Sequence, residues 1–268
     1  MDWIKAVIIA IVEGLTEFLP VSSTAHMVFT EKLLMVRHDN FIELFTYCIQ
    51  FGAILAVVVL YWRKFFDFRK IHFYLKLACG IIPAMILGFL FDDMISRVLE
   101  KPIPIAVVLA LGGVVLLFID KFFQNPEIFD EKKISIKKSV IIGFWQCLAM
   151  MPGVSRSAAS IIGGMQQKLS RETAAEFSFF LAVPTMLAVT VYALTLKKWE
   201  EGEFTLRGYE MLVNNSEHLG LFIIGNAIAF IVAVLAIKFF VGMIKKYGFK
   251  IWGWYRIITG LVMLLLFI

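Results

Sequence analysis

The sequence predicts an all-α integral membrane protein, on the evidence of its composition and the length of its apolar runs. Hydrophobic residues make up 60% of the 268 residues and charged residues only 18%, whereas soluble domains usually carry about a quarter charged residues. The apolar residues form long runs, while the strands of outer-membrane barrels alternate apolar and polar residues. We therefore expect membrane-spanning helices in a single polytopic domain, residues 1–268.

Six apolar stretches are long enough, or nearly so, to cross a bilayer, which takes roughly 20 helical residues. They cover residues 41–62, 77–91, 103–119, 177–196, 219–241 and 251–268. The second stretch is short, and Pro83 and Gly88 within it indicate a bend or a packed interior helix.

Two further apolar stretches, 3–19 and 140–151, stop at prolines, Pro20 and Pro152. Each is followed by a serine-rich turn and another modest apolar piece. Proline cannot continue a helix, and irregular backbone is tolerated at membrane depth only where protein or a water-filled cavity surrounds it. We predict two re-entrant helical hairpins.

The two hairpins also form an internal repeat. A shift of 133 residues aligns them without a gap and places Val21-Ser-Ser-Thr on Val154-Ser-Arg-Ser. Three crossings per half is an odd number, so the second copy, about 134–268, must be inverted relative to the first, about 1–125. Inverted repeats with broken helices place their functional site near the midplane, where the copies meet. Chance similarity is the alternative, because few residues are identical between the copies.

The distribution of positive charge predicts the orientation in the membrane. With six crossings, the loops on one side hold 16 Lys and Arg residues and those on the other side hold 8. The positive-inside rule places the first set in the cytoplasm, so both termini and the acidic loop at 200–217 are expected to face outward. The net charge of +5 is thereby explained by a membrane, and we expect no nucleic-acid partner.

The first hairpin carries two carboxylates inside an apolar run. Glu13 and Glu17 are four residues apart and project from one helical face, where they repel each other unless a proton or a cation lies between them. A charge at mid-membrane costs roughly 2.5–3.5 kcal/mol even on the lenient insertion scale. We interpret the pair as functional, with the alternative that this helix lies near the surface and both glutamates reach water.

The turn of the first hairpin is suited to an anion. After Pro20, the hydroxyls of Ser22, Ser23 and Thr24 can cap a new helix, and a helix N-terminus favours a phosphate. His26 lies within reach of the same face. Ordinary capping is the alternative for this segment taken alone.

The second hairpin supplies a cation. Arg156 lies between Ser155 and Ser157, and Ser160 follows one turn later. A guanidinium can hold two phosphate oxygens at once. Arg156 could instead pair with a glutamate of the first hairpin for structure alone, but together the two hairpins look like the halves of one anion site.

The sequences of the two hairpins resemble those of a known family. The segments EGLTEFLPVSSTAH at 13–26 and PGVSRSAAS at 152–160 are similar to the two signatures of the bacterial undecaprenyl-diphosphate phosphatases of the bacitracin-resistance type. The likeness extends over essentially the whole chain. There are two departures: Ser160 stands where the family usually has threonine, and Ala25 where glycine is common.

The resemblance implies removal of the terminal phosphate of undecaprenyl diphosphate, which regenerates the carrier lipid for cell-wall synthesis and confers bacitracin resistance. It also implies a divalent cation, Mg²⁺ or Ca²⁺, and a site in the bacterial inner membrane that opens to the extracytoplasmic face. The lipid substrate and the bilayer are then the expected partners. The oligomeric state stays open, with a homodimer among the candidates.

The residues permit several assignments of roles. Ser23 is the candidate nucleophile, with Glu17 or His26 as its general base, although a metal-bound water or His26 itself could attack instead. Glu13 and Glu17 are the candidate metal ligands. Substrate binding and charge stabilisation are assigned to the polar residues at the two helix starts, namely Ser22, Thr24, Ser155, Arg156, Ser157 and Ser160.

The rival hypothesis is a transporter for a polyprenyl phosphate. Inverted repeats with broken helices and buried carboxylates are common in transporters. The two hypotheses differ in whether Ser23 is needed for phosphate release.

Overall fold

The computed structural model describes residues 1–37, 39–99, 101–201 and 204–267, and these ranges are almost entirely helical. Six of the described helices are long and apolar enough to cross a membrane: Asn40–Leu60, Ile71–Gly88, Pro102–Phe122, Arg171–Leu196, Ser216–Tyr247 and Lys250–Phe267. Each overlaps one of the six predicted spans. The prediction of an all-α polytopic membrane protein is therefore confirmed.

The elements follow the chain in two halves. The first half forms α1 (Trp3–Thr16), α2 (Ser23–Leu33), α3 (Asn40–Leu60), α4 (Trp62–Phe65), α5 (Ile71–Leu99) and α6 (Pro102–Phe122). The second half begins with a 3₁₀ turn (Glu131–Lys133), α7 (Ile136–Cys147), a second 3₁₀ turn (Leu148–Met150), α8 (Arg156–Gln166), α9 (Arg171–Val191) and a π-helical turn (Tyr192–Leu196). It ends with β1 (Lys198–Glu201), β2 (Phe204–Arg207), α10 (Gly208–Val213), α11 (Ser216–Tyr247) and α12 (Lys250–Phe267).

The helix of the second span is much longer than its predicted apolar stretch. The sequence predicts a short span at 77–91, but α5 has 29 residues and continues through Pro83. Its first turns include Lys76, a residue that the charge pattern assigns to a loop. Lys76 is buried because its Nζ donates to two carbonyl oxygens of the 3₁₀ turn at 131–133, at 2.9 and 3.0 Å. A lysine whose head group finds such acceptors can extend a helix beyond its apolar run.

The two interrupted apolar stretches form α1 and α7. These helices have 14 and 12 residues, or about 21 and 18 Å, which is less than the roughly 30 Å of a hydrocarbon core. Each is followed by a turn and an 11-residue helix, α2 or α8. Both hairpins therefore have helix–turn–helix form, and their re-entrant path in a bilayer stays a prediction.

The two halves pack on each other reciprocally. Helix α1 packs against α11 of the second half, and α7, its counterpart 133 residues later, packs against α5 of the first half. The last helices of the halves, α6 and α12, pack against each other. A two-fold relation between two copies would produce this exchange. The packing supports the repeat hypothesis, and the inversion of the second copy stays a prediction.

The α6–α12 interface is close because small residues line it. A Cβ atom on Gly113 would lie 2.7 Å from the carbonyl oxygen of Gly253, and one on Gly260 would lie 2.8 Å from that of Ala106. Small residues allow membrane helices to approach closely. This contact brings Arg256 of α12 against α6, beside the turns of both hairpins.

A small β-hairpin covers the start of α3, in a segment that the sequence predicts only as an acidic loop. Strand β1 pairs with β2 in antiparallel register, with Trp199 opposite Leu206. The indole of Trp199 is buried, and Lys197 beside it donates to Glu43 of α3 at 2.6 Å. The burial of one tryptophan and this ion pair hold the segment in place.

Candidate active site

The turn of the first hairpin has a backbone that few residues adopt. Ser22 has φ 68° and caps α2, since its Oγ accepts a hydrogen bond from the amide of Ala25 at 3.4 Å. Pro20 prevents α1 from continuing. Ser23 is consequently the first residue of α2 and lies at its N-terminus, 9% exposed.

The turn of the second hairpin repeats this backbone. Ser155 has φ 74° and caps α8, since its Oγ accepts from the amide of Ala158 at 3.2 Å. Within the described ranges, the four non-glycine residues with positive φ form two pairs separated by 133 positions, Ser22 with Ser155 and Met35 with Lys168. Arg156 therefore occupies in the second copy the position that Ser23 occupies in the first.

The two turns meet in a chain of hydrogen bonds. The hydroxyl of Ser23 donates to Oε2 of Glu17 at 2.5 Å, and the other carboxylate oxygen of Glu17 accepts from Nη2 of Arg156 at 2.8 Å. Both partners are largely buried, with 4% and 13% of the Glu17 and Arg156 side chains exposed. The structure thus places a hydroxyl, a carboxylate and a guanidinium from the two hairpins in direct contact.

Helix α9 supports the guanidinium from the other side. Nη1 of Arg156 donates to the carbonyl oxygen of Ser178 at 2.9 Å and contacts its hydroxyl at 3.4 Å. The guanidinium also lies 5.7 Å from the centre of the Phe18 ring. Its Nε is buried and has no hydrogen-bond partner among the described residues.

Glu13 is buried beside Glu17. It is fully inaccessible to solvent, and neither carboxylate oxygen accepts a hydrogen bond from the described residues. The charged groups that act on it are Glu17 and Arg156. A carboxylate in this position requires a proton or a cation, because an uncompensated buried charge is very costly.

His26 is held away from Ser23. Its Nδ1 lies 2.8 Å from the carbonyl oxygen of Ser22, and its Nε2 lies 2.8 Å from the hydroxyl of Tyr255. A carbonyl can only accept, so Nδ1 carries a proton, and in the neutral ring Nε2 accepts from Tyr255. The structure therefore brings Glu17, and not His26, into hydrogen-bond contact with the candidate nucleophile.

Two of the hydroxyls predicted to bind substrate are used inside the protein. Ser157 donates to the carbonyl oxygen of Phe18 at 2.8 Å and so joins the two hairpins. Ser160 donates to the carbonyl oxygen of Arg156 at 2.8 Å and lies 2.6 Å from the hydroxyl of Ser178. Both side chains are fully buried, and their contacts support the site from within.

The remaining predicted residues have simpler environments. Ser22 and Ser155 cap their helices, which is the alternative that the sequence left open for this motif. Thr24 is half-buried in the first turn of α2. The first amides of a helix have no partner within it, so α2 and α8 each contribute N–H groups beside the Ser23–Glu17–Arg156 chain.

Sequence reasoning missed three residues of this region: Ser178, Tyr255 and Arg256. Arg256 is fully buried and donates four hydrogen bonds to backbone carbonyls. Its presence inside an apolar span was a usable signal, because ionisable residues there are functional by default. The other two lie on distant helices, and nothing in their local sequence links them to the hairpins.

Two carboxylates could contribute ligands to a metal ion. Within the described part of the chain, no group of three or more His, Cys, Asp and Glu residues could hold a metal ion. The pair Glu13 and Glu17 could still hold a hard divalent cation, because no described residue donates a hydrogen bond to the oxygens of Glu13. Mg²⁺ is commonly bound by one or two carboxylates together with phosphate oxygens and waters.

The fold and the site define a class of protein: a polytopic helical membrane protein whose ionisable side chains converge between two interrupted helices. The chain belongs to the family described as Bacitracin resistance protein BacA, whose sequence model matches residues 6–262. The resemblance drawn from the two motifs is thereby confirmed.

Proteins named undecaprenyl-diphosphatase are similar to this chain over nearly its whole length. That of Flavobacterium johnsoniae is 49% identical over 267 residues, covering 99% of this chain and 96% of the relative. That of Porphyromonas gingivalis is 47% identical over 283 residues, covering 99% and 97%. The protein named undecaprenyl-diphosphatase 1 of Clostridioides difficile is 40% identical over 278 residues, covering 100% and 97%.

Proposed function

We propose that this protein hydrolyses undecaprenyl diphosphate to undecaprenyl phosphate and phosphate, with Ser23 as the nucleophile. The observation that carries the mechanism is the 2.5 Å hydrogen bond from the Ser23 hydroxyl to Glu17. A nucleophile in contact with its base, which is oriented in turn by a third group, is the usual arrangement of nucleophilic catalysis. Here Arg156 is the third group, at 2.8 Å from Glu17.

The reaction proceeds in two steps. In the first, the Ser23 oxygen attacks the terminal phosphorus, Glu17 accepts the hydroxyl proton, and the bond from that phosphorus to the bridging oxygen breaks. Undecaprenyl phosphate leaves, and a phosphoserine is formed. In the second step water attacks this phosphorus and the bond to the Ser23 oxygen breaks. Glu17 returns its proton to the Ser23 oxygen, and both protons of the water leave with the released dihydrogen phosphate.

Arg156 and the helix starts stabilise the charge that develops on the phosphoryl group. The guanidinium has a buried Nε–H without a hydrogen-bond partner among the described residues, and arginine supplies a permanent cation for phosphate oxygens. Helix N-termini commonly hold bound phosphates with their free N–H groups, and α2 and α8 begin at Ser23 and Arg156, so their first amides are assigned the same role. Preorganised donors of this kind are usually the largest single contribution to catalysis.

Glu17 is the base that the geometry supports. His26 uses both ring nitrogens in contacts with Ser22 and Tyr255, so its assignment as base or nucleophile would require the ring to leave these partners. We assign His26 to orienting the start of α2.

A divalent cation, Mg²⁺ or Ca²⁺, completes the site in this proposal. Glu13 and Glu17 would hold it, because Glu13 has two buried oxygens with no other partner. Such a cation would neutralise charge on the substrate phosphates. Glu13 itself would then bind and orient the cation, while Glu17 transfers the proton.

We further propose that the protein lies in the bacterial inner membrane with this site open to the extracytoplasmic face. The excess of Lys and Arg at 63–76, 120–139, 166–176 and 238–250, which cover loops and the adjoining helix ends, supports the orientation. The bilayer and the lipid substrate are the partners. A homodimer is compatible with the exposed apolar helix faces, and a nucleic-acid partner is not needed to explain the positive charge.

The test is phosphate release from undecaprenyl diphosphate in detergent by the purified protein, with Mg²⁺ or Ca²⁺ and with EDTA. Wild type should release phosphate and Ser23→Ala should not, while both bind the lipid. Ser216→Ala, which changes an exposed serine in α11, is the matched control and should retain full activity. Undiminished release by Ser23→Ala would contradict the nucleophile. A wild-type protein that moves the lipid across vesicles without releasing phosphate would instead favour the transporter hypothesis.

A further inference from the structure

Arg256 of α12 connects the turns of both hairpins to α6. Nη1 donates to the carbonyl oxygens of Pro20 and Val154, each at 3.0 Å. Nη2 donates to that of Gly153 at 2.8 Å, and Nε donates to that of Leu109 in α6 at 3.1 Å. One guanidinium thus holds three separate backbone segments with four hydrogen bonds.

The carbonyls that Arg256 binds lie just before the residues that set the site. Pro20 precedes the strained Ser22 by two positions, and Gly153 and Val154 directly precede Ser155, its counterpart with φ 74°. Since Ser23 and Arg156 are the next residues in each copy, their positions depend on how these turns are held. Arg256 itself makes no hydrogen bond to Ser23 or Glu17.

Physical chemistry explains why an arginine occupies this position. Interrupted helices leave carbonyl groups without partners, and in a membrane interior each unsatisfied group costs several kcal/mol. A guanidinium has five N–H donors spread over three nitrogens in one plane, whereas a lysine has three donors on one atom. Of these two side chains, only arginine can donate to all four carbonyl oxygens at their present separation. A lysine would require the two turns to move closer to each other.

Helix α6 has a cleft for this side chain. Gly112 and Gly113 lie against it, and a Cβ atom on Gly112 would collide with the guanidinium. The Arg256 side chain is fully buried. The site of the guanidinium is therefore formed by the two turns and by glycines of α6, with no access to solvent.

We propose that Arg256 is a positioning residue for the hydrolysis: it fixes the separation and orientation of the two turns, and hence of Ser23 relative to Arg156. This inference rests on the proposed function. Its effect should appear mainly in kcat, because a displacement of about 1 Å in a catalytic group can cost 10²-fold in rate.

Two variants test the proposal by different routes. Arg256→Lys keeps the charge and removes the planar set of donors. Gly112→Ala keeps the arginine but adds a methyl group on α6 that displaces its guanidinium. The matched controls are Arg171→Lys, whose arginine pairs with Asp120 at 2.6 Å, and Gly242→Ala, where an added Cβ meets no atom within 4 Å.

Two measurements are made on each variant in detergent. The first is kcat and KM for undecaprenyl diphosphate, corrected for the folded fraction from gel filtration and thermal unfolding. The second is hydrogen exchange of the amides in 18–26 and 151–158, which reports on the turns without reference to the reaction. Arg256→Lys should lower kcat about 10- to 100-fold and change KM less than about threefold. It should also speed exchange in both turns together, and Gly112→Ala should do the same more weakly.

The proposal would be overturned by normal kcat per folded molecule, or by a rise in KM alone, which would make Arg256 a binding contact. It would also be overturned if exchange increased only in α12. Because the exchange measurement does not depend on turnover, a wild-type protein that releases no phosphate would contradict the proposed function while the exchange in both turns still decides whether Arg256 holds them.

Discussion

The two hairpins have the same backbone and different side chains. In both, an interrupted helix leads through a capping serine with positive φ, Ser22 or Ser155, into an 11-residue helix. At the first position of that helix one copy has a hydroxyl, Ser23, and the other has a guanidinium, Arg156. The preceding helix carries Glu13 in the first copy and Gln146 at the equivalent position of the second.

The difference shows how a repeated frame can produce an asymmetric site. The common backbone places the start of α2 and the start of α8 where they face each other, as the Ser23–Glu17–Arg156 contacts demonstrate. The acidic groups and the proposed nucleophile lie in one copy and the cation in the other. Neither hairpin alone has the groups for hydrolysis, so changes in either should reduce activity, but by different routes.

The largest effect is expected at the acidic helix. Glu17→Gln removes the proton acceptor of Ser23 and the carboxylate partner of Arg156, and we expect kcat to fall about 10³-fold, within the range for general-base groups. Steady-state phosphate release measures this. Glu127→Gln, which changes a carboxylate exposed near Lys168, is the control. A Glu17→Gln enzyme within tenfold of wild type would show that another group accepts the proton.

The cationic hairpin should give the next largest effect. Arg156→Lys keeps one positive charge but cannot contact Glu17 and Ser178 together as the planar guanidinium does. Loss of one charge-stabilising donor typically costs 10²–10³ in kcat, and we expect about 10²-fold here. Phosphate release is compared with that of Arg171→Lys. Full activity in Arg156→Lys would mean that only its charge is used.

Substitution of Glu13 should weaken cation binding more than it slows the chemical step. In Glu13→Gln the uncompensated carboxylate is replaced by a neutral amide, and we expect the Mg²⁺ concentration for half-maximal activity to rise about 10-fold, in line with loss of one of few carboxylate ligands. Activity is titrated against free Mg²⁺ in wild type and variant. An unchanged midpoint would remove Glu13 from the metal assignment.

A smaller loss is expected at the histidine. Tyr255→Phe removes the hydroxyl bound to Nε2 of His26, a contact worth about 1 kcal/mol or roughly fivefold. We expect kcat to fall by about that factor, with Tyr209→Phe, an exposed tyrosine, as control. A loss of 10³-fold would instead make His26 and Tyr255 direct participants in proton transfer.

The smallest effect on activity should come from Ser157. Its hydroxyl bonds Phe18 inside the protein, so Ser157→Ala leaves a buried carbonyl unsatisfied at a cost of about 1–3 kcal/mol. Thermal unfolding should show a lower midpoint, while KM for the lipid stays within about twofold of wild type. A several-fold rise in KM at unchanged stability would restore Ser157 to substrate binding.

Much of the fold was predictable from the sequence. The six spans follow from apolar runs whose length is set by the bilayer, and the two interrupted helices follow from Pro20 and Pro152. The start of α5 was not predictable from the sequence. A lysine such as Lys76 is typical of a loop, and its carbonyl partners in the turn at 131–133 become known only from the structure. The β-hairpin at 198–207 was missed because two four-residue strands give little periodicity.

The site was predictable where the chemistry is local to a motif. Glu17, Ser23 and Arg156 lie in the two signatures, and the structure brings them together. The prediction that Ser157 and Ser160 bind substrate was weaker, because helical periodicity alone does not tell which side of a helix packs inward. The motifs do not include Ser178, Tyr255 or Arg256. Tyr255 and Arg256 contact residues more than a hundred positions away in the sequence, and only the fold can reveal such contacts.

The central claim is that the hydroxyl at the start of α2 attacks the phosphorus that the opposite hairpin stabilises. Rapid acid quench of the enzyme with undecaprenyl diphosphate, followed by peptide mass spectrometry, tests it most directly. We expect a phosphoserine at Ser23 during turnover, formed at a reduced rate in Arg156→Lys. Phosphate found on His26, or full turnover with no phosphorylated residue at all, would contradict it.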